Sequence, residues 1–168
     1  MLDFNANQDP TEALRATFRR HASGVSVITT VDEDNNPVGF TATSMTSLGA
    51  TPPLVMFSVA RGASSWNAIS TAKFIAIHTL GEANVELAKR MAADHTQRFL
   101  GDDWQRGPEN LPIFDCATSV LIGKVRDVLN IENNAVVICD VVSGALGTED
   151  EALLYYQRAY RATGNTLA

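Results

Sequence analysis

Residues 39–70 read GFTATSMTSLGATPPLVMFSVARGASSWNAIS. Two apolar runs, residues 38–43 and 54–59, carry the composition of strands. Between them stand the hydroxyls of Thr41, Thr43, Ser44, Thr46 and Ser47, then Thr51-Pro52-Pro53, which interrupts any ladder before the second run begins. A Ser pair, Ser64-Ser65, then precedes Trp66 and opens a short helix over 64–70, with Trp66 and Ile69 on one side. A plain barrel needs turns here, but it does not need so many short donors in one place.

Working outward, VSVITTV at 25–31 is a β-branched strand, DEDNNP at 32–37 is a polar turn, and 38–43 returns to complete a hairpin. Upstream, Pro10 opens a helix that Thr11 can cap and whose positive end suits Glu12. Leu14 and Phe18 lie one turn apart and should share a buried face, and Gly24 ends the segment. Downstream, FIAIHTL at 74–80 is a strand, and 82–92 is a helix along which Leu87 and Met91 pair. A long loop fills 101–112. Further strands follow at 116–128, where Gly123 marks a bend or bulge, and at 135–142. The tail at 152–164 carries three aromatics and two arginines. Strands do not alternate regularly with helices, and no GxGxxG follows a strand, so a doubly wound dinucleotide-binding sheet is excluded. The pattern fits a mainly β, antiparallel barrel with a few covering helices, a single domain over residues 1–168.

Composition narrows the function. Of 168 residues, 45% are hydrophobic, enough for a full core. Nineteen acidic residues against 13 basic give a formal net charge of -6, which argues against a broad nucleic-acid surface but leaves room for one small anion held by local donors. There is no transmembrane-length apolar run, and MLDFNANQDP lacks a signal pattern, so a cytoplasmic protein with no membrane partner is expected. Cys116 and Cys139 are far apart and read as reduced, partly buried thiols. His21, His78 and His95 show no metal-ligand spacing.

Three constellations remain. The hydroxyls and small residues from Gly39 to Ser47 can admit a flat heteroaromatic ring close to the backbone; a Thr-rich strand is the alternative. In ARGASSW, residues 60–66, a Ser-capped helix start beside Arg61 is a natural phosphate seat; an ordinary capped turn with a solvated arginine is the alternative. In HTQRFLGDDW, residues 95–104, Arg98 can reach a phosphate or carbonyl and Phe99 can cover a ring; a surface arginine beside a core phenylalanine is the alternative. No Ser-His-Asp, paired-carboxylate or metal constellation emerges, so the chain lacks a chemical engine of its own. A cofactor that brings the chemistry would resolve this.

In order, FRRHASGVSVITT, GFTATSMTSLGATPPLVMFSV, SSWNAI, KFIAIHTL, QRFLG, LPIFDCATSVLIGKV and LLYYQRAYR resemble the flavin reductase-like family of split-barrel, FMN-binding proteins. That family includes the reductase components of two-component flavin-dependent monooxygenases. The resemblance covers nearly the whole chain. It implies an antiparallel split β-barrel and an oxidoreductase passing hydride from NAD(P)H to FMN, with FAD as a second possible flavin. It implies a homodimer with the flavin near the subunit interface, and reduced flavin supplied to a partner monooxygenase. By motif position, Thr41, Ala42, Thr43, Ser44 and Met45 line the flavin. Val59, Ala60, Arg61, Ser64, Ser65 and Trp66 surround the ribityl phosphate, and Arg98 and Phe99 close one side.

The chain departs from the family pattern at one place. Where many active members carry Gly-Asp-His, it has Glu132-Asn133-Asn134. Asn134, the candidate catalytic residue, can hydrogen-bond but cannot titrate near neutral pH. This leaves an alternative of different class: a flavin-binding module or accessory protein with little reductase activity. His78 also stands where the family carries a strand asparagine, either in that polar role or as a satisfied core histidine.

Overall fold

The structure is a computed structural model, and it describes residues 9–164. Its chain order is α1 (Pro10–Arg19), β1 (Ser23–Gly24), β2 (Ser26–Val31), β3 (Pro37–Ala42), β4 (Thr46–Ala50), β5 (Pro53–Ala60), α2 (Trp66–Thr71), β6 (Phe74–Thr79), α3 (Val85–Ala92), β7 (Gln105–Arg106), β8 (Pro112–Ile113), β9 (Ser119–Ile131), β10 (Asn134–Leu146), β11 (Leu153–Tyr156) and β12 (Ala159–Ala162). Seven strands form one antiparallel sheet in the order β3-β2-β6-β9-β10-β5-β4. The smaller sheets are β1-β11-β12 and β7-β8.

The seven-stranded sheet curls around a core of Ile28, Val55, Phe57, Val59, Ile75, Ile77 and Val137, closed at one side by Ile69 of α2. These residues alternate along their strands, as a one-sided barrel core requires. The central strands β2 and β6 are buried on both faces. Their other face, with Val27, packs beneath α3 through Leu87, Ala88 and Met91 and against Phe114 and Leu153. A side chain such as Met91, with no exposure, contributes about 1.5–3 kcal/mol by its burial.

Burial on both faces leaves no water for polar groups, and each one is satisfied inside. Thr29 Oγ1 donates to the Pro112 carbonyl at 2.6 Å, and Thr30 Oγ1 to that of Phe74 at 3.0 Å. His78, with no exposure, lies between β2 and the segment after β8. Its Nδ1 is 3.1 Å from the Val27 carbonyl, and its Nε2 accepts from the Phe114 N–H at 3.2 Å. That pairing requires the neutral ring with its proton on Nδ1. His78 is therefore a satisfied core histidine.

The sequence reading is corrected in several places. Asp9, not Thr11, caps α1; its carboxylate accepts from the Thr11 N–H at 3.1 Å. Leu14 and Phe18 do not share a buried face: they are 60% and 63% exposed, because α1 buries no residue. The helix begins at Trp66, and 82–92 divides into a 3-10 turn and α3. A strand, β4, runs through the hydroxyl-rich segment itself. The last two long strands reach Ile131 and Leu146, beyond the expected ends, and meet in a two-residue turn. Gly123 does mark an irregularity: its partner Val141 borders a register shift, and a Cβ on Gly123 would lie 2.9 Å from Cys139 Cβ.

Burial pushes the His78 imidazole from 6.5 down to about 4, partly offset by the Val27 bond. Between those values the unfolded chain binds a proton that the folded chain refuses, so acid favours unfolding. The stability that depends on neutral His78 is complete above about pH 6.5 and falls as pH drops toward about 4, by roughly 3 kcal/mol in all. Denaturant titrations should show wild type more stable than His78→Asn at pH 7, with the gap narrowing at pH 4.5. A constant gap would exclude His78 as the titrating group.

Candidate functional site

β3 and β4 are the two edges of the seven-stranded sheet, yet only Thr43, Ser44 and Met45 separate them in sequence. The connection crosses the open side of the barrel beside the end of β5. There Ser44 Oγ accepts from the Ser58 N–H at 3.0 Å and donates to the Ser58 carbonyl at 3.1 Å. The hydroxyl substitutes for a strand partner and closes the split.

The hydroxyls of the run therefore divide. Thr41 Oγ1 donates to the Ala88 carbonyl of α3 at 2.6 Å, and Ser44 is committed to Ser58. Ala42 belongs to the barrel core, and Met45 packs against it while its sulfur accepts from Ser26 Oγ at 3.6 Å. Thr43 is exposed, and its hydroxyl meets no protein partner among the described residues. Among residues 41–45 it is the side chain with a hydroxyl left for a ligand.

Past β5 the chain turns through 61–65 into α2. Val59 is buried, Ala60 is exposed, and Trp66 packs on the barrel core. Ser65 occupies the N-cap position, but its backbone is helical and its hydroxyl caps nothing. That corrects the expected capping role. α2 is only six residues long, so the anion preference expected of its start must come from elsewhere. Ser65 Oγ is buried without a partner, in a residue 1% exposed. Leaving a buried hydroxyl unmade costs about 1–3 kcal/mol, which makes this atom the strongest single mark of a missing ligand.

Arg98 stands beside it. Pro37, Val38, Gly39, Ser64, Ser65, His95, Arg98 and Phe99 enclose a cleft of about 70 Å³. Arg98 Nη1 donates to the Gly39 carbonyl at 2.8 Å and to Ser64 Oγ at 3.4 Å, and Nη2 donates to the Ala93 carbonyl at 2.8 Å. Burial lowers its pKa, with Asp94 opposing, yet a guanidinium stays charged. Its partners are neutral and, among the described residues, no carboxylate is in ion-pair contact with it. A partly buried cation in that state attracts an anion. The N–H groups of Ser64 and Ser65 also meet no acceptor among the described residues. Gly39 permits the close approach: a Cβ there would lie 2.8 Å from the Ile28 carbonyl and from Met91 Cε.

The sequence reading missed His95. Its signal was the Asp94-His95-Thr96 spacing: Asp94 accepts from the Thr96 N–H at 2.9 Å and starts the 3-10 turn that brings His95 and Arg98 to the cleft. Phe99 fixes that turn from below, stacked on Phe114 at 5.9 Å and edge-on to Trp104 at 5.4 Å.

Arg61 makes its side-chain contacts away from the Arg98 cleft. Its Nη1 donates to the Glu132 carbonyl at 2.9 Å, and its guanidinium sits 5.8 Å from the Trp66 ring centroid. Asn134 is exposed and pairs with Ala60 across the β5–β10 ladder. The loop between β5 and α2 thus has Asn134 at one end and Arg98 at the other. Cys116 and Cys139 are free, and burial pushes the Cys139 thiol up to about 12.

A family model, the flavin reductase like domain, matches residues 18–164. The chain belongs to the flavin reductase-like family. It is 37% identical over 151 residues to an NADH:FMN oxidoreductase of Rhodococcus qingshengii, covering 87% of this chain and 78% of that one. It is 29% identical over 146 residues to the reductase subunit HsaB of a flavin-dependent monooxygenase of Rhodococcus jostii, covering 87% of this chain and 74% of the relative. A crystal structure of a flavin reductase domain protein from Arthrobacter sp. FB24 superposes with a TM-score of 0.90 at 44% identity, covering 94% and 98% of the two chains. The split-barrel expectation holds. No helix among the described residues is long and apolar enough to cross a membrane.

A protein with a buried, unpartnered hydroxyl at Ser65 should gain stability when that hydroxyl is removed. Ser65→Ala is expected to stabilise the ligand-free protein by about 1 kcal/mol, since no hydrogen bond is lost. A lower thermal midpoint in ligand-free protein would mean the hydroxyl has a partner after all.

Proposed function

We infer that the protein is an NAD(P)H:flavin oxidoreductase that takes FMN with its phosphate in the Arg98 cleft. The observation that carries the reading is the buried, unpartnered Ser65 hydroxyl beside an arginine whose partners are all neutral. The donor set fits a phosphate: a guanidinium, two hydroxyls, two free N–H groups and His95 around one small cleft. Thr43 and the backbone of 41–45 run from there along the barrel's open side, where a flat ring would lie. Held there by Arg98, Ser64 and Ser65, a flavin would supply the hydride-accepting chemistry that the chain's own side chains lack.

The chain's own work is positional. Arg98, Ser64 and Ser65 hold the anionic end. The strand ends at Ala42 and Val59 give the ring an apolar floor and exclude water beneath it. Asn134 flanks the other end, where it can hydrogen-bond the carboxamide of a nicotinamide without carrying charge. Bringing the reacting atoms to about 3–3.5 Å is the main source of acceleration open to such a site. The product, reduced flavin, would serve a monooxygenase partner; the Rhodococcus jostii relative is itself the reductase subunit of a flavin-dependent monooxygenase. A homodimer whose second subunit covers the open side completes the reading. FAD is accommodated less well, because the small cleft suits a terminal phosphate.

The test is an absorption spectrum of purified protein with FMN, followed by anaerobic NADH and NADPH. Bleaching of the flavin band at catalytic protein concentration is expected; no flavin retention at tens of micromolar overturns the reading. Arg98→Gln should weaken FMN at least tenfold while leaving riboflavin within about threefold, since only FMN carries the charge. Equal losses would place the phosphate elsewhere. Asn134→His should introduce a pH dependence of NADH oxidation between about pH 6 and 8 that wild type lacks. Flat profiles in both proteins would remove Asn134 from the nicotinamide site.

A further inference from the structure

We propose that Arg61 is a positioning residue that pins the tip of the β9–β10 hairpin to the loop before α2, and so holds Asn134 as one wall of the nicotinamide site. The inference rests on the reductase reading above and assigns Arg61 a task other than phosphate capture.

The tip needs a tether. β9 and β10 are each 13 residues long, and their turn consists of Glu132 and Asn133, both exposed. Glu132 has a φ of 50°, the left-handed conformation that a two-residue hairpin turn demands and that a glutamate adopts at a cost. Both tip carbonyls are held by one residue. The Arg61 N–H donates to the Asn133 carbonyl, and Arg61 Nη1 donates to the Glu132 carbonyl, each at 2.9 Å. The guanidinium lies over the Trp66 ring, which is itself packed on the barrel core, so the tether has a fixed base. Asn134 is the next residue after the tip and the ladder partner of Ala60, the residue before Arg61. Moving Arg61 therefore moves the wall.

The same geometry separates Arg61 from the anion cleft. The arginine that touches Ser64 is Arg98, and Arg61 is absent from the residues around Ser65 and His95. A charge engaged by a carbonyl at the hairpin tip orders the turn; it is not placed beside Ser65.

Steady-state kinetics and flavin binding on Arg61→Met and Arg61→Lys test this. Arg61→Met keeps the apolar stem and the backbone N–H but loses the side-chain donor. It should raise KM for NADH about tenfold, leave kcat within about threefold, and leave the ratio of FMN to riboflavin affinity within about twofold of wild type. Arg61→Lys, which keeps a charge and a donor, should recover part of the KM and folds if the methionine variant does not. A fall in FMN affinity with riboflavin unchanged would overturn the proposal and make Arg61 a phosphate contact. Unchanged KM in both variants would overturn it as well. Failure of wild type to oxidise NADH with any flavin would instead remove the reductase reading, and this inference with it.

Discussion

Ser44 closes the barrel. A seven-stranded sheet that does not meet itself leaves a row of unpaired backbone groups along its edges at the gap. One hydroxyl that both accepts from and donates to Ser58 satisfies that backbone without a further strand. Because β3 and β4 are sheet edges only three residues apart, the crossing must occur here. The consequence is functional: the crossing brings 41–45 beside the end of β5, and the chain leaving β5 is the loop that carries Arg61, Ser64 and Ser65. The opening on this loop is the small cleft that Gly39, Ser64, Ser65 and Arg98 enclose.

Charge acts at that opening locally, against the sign of the whole molecule. A chain of net charge -6 repels anions at long range, but screening limits that to about a Debye length, roughly 8 Å at physiological salt. Arg98 sits with carbonyl partners and partial burial, so its field is weakly screened. The neighbouring Asp94 is turned to its own task, its carboxylate lowered below the usual range by the Thr96 N–H and hydroxyl it accepts. The anion preference therefore does not need α2, whose six residues supply little dipole.

The strands of the core were legible because burial on one or both faces writes itself into the sequence as apolar, β-branched runs. Residues 25–31, 54–59 and 74–80 fall within a residue of their observed strands for that reason. β4 was not legible: all five of its residues are exposed, so no alternation marks it, and only its pairing with β5 makes it a strand. Leu14 and Phe18 misled for the converse reason, since helical spacing says which residues share a face but not whether anything covers it. The colinear motifs identified the family, yet they did not tell Arg61 from Arg98. Arg61 precedes Ser64, Ser65 and Trp66, and Arg98 precedes Phe99; only the long-range bonds, to Glu132 in one case and Gly39 in the other, separate their contacts.

The two ends of the opening differ in rigidity, and the difference follows from packing. The turn bearing His95 and Arg98 rests on Phe99, which stacks on Phe114, which meets His78 edge-on at 5.7 Å. That column reaches the layer buried beneath α3, so the anion seat is anchored in the most buried part of the molecule. The opposite end is a two-residue tip of exposed backbone, held to the body by the β5 ladder and by Arg61. A rigid seat fixes one end of a flavin at little entropic cost on binding, because the donors are already placed. A tip restrained by few bonds opens more easily than the core, as elements that admit ligands generally do. A reductase must hold flavin well enough to orient it, admit a nicotinamide over the ring, and then let product leave. On the reductase reading, a firm Arg98 cleft and a hairpin tip held by Arg61 would orient flavin and nicotinamide from two ends of one loop.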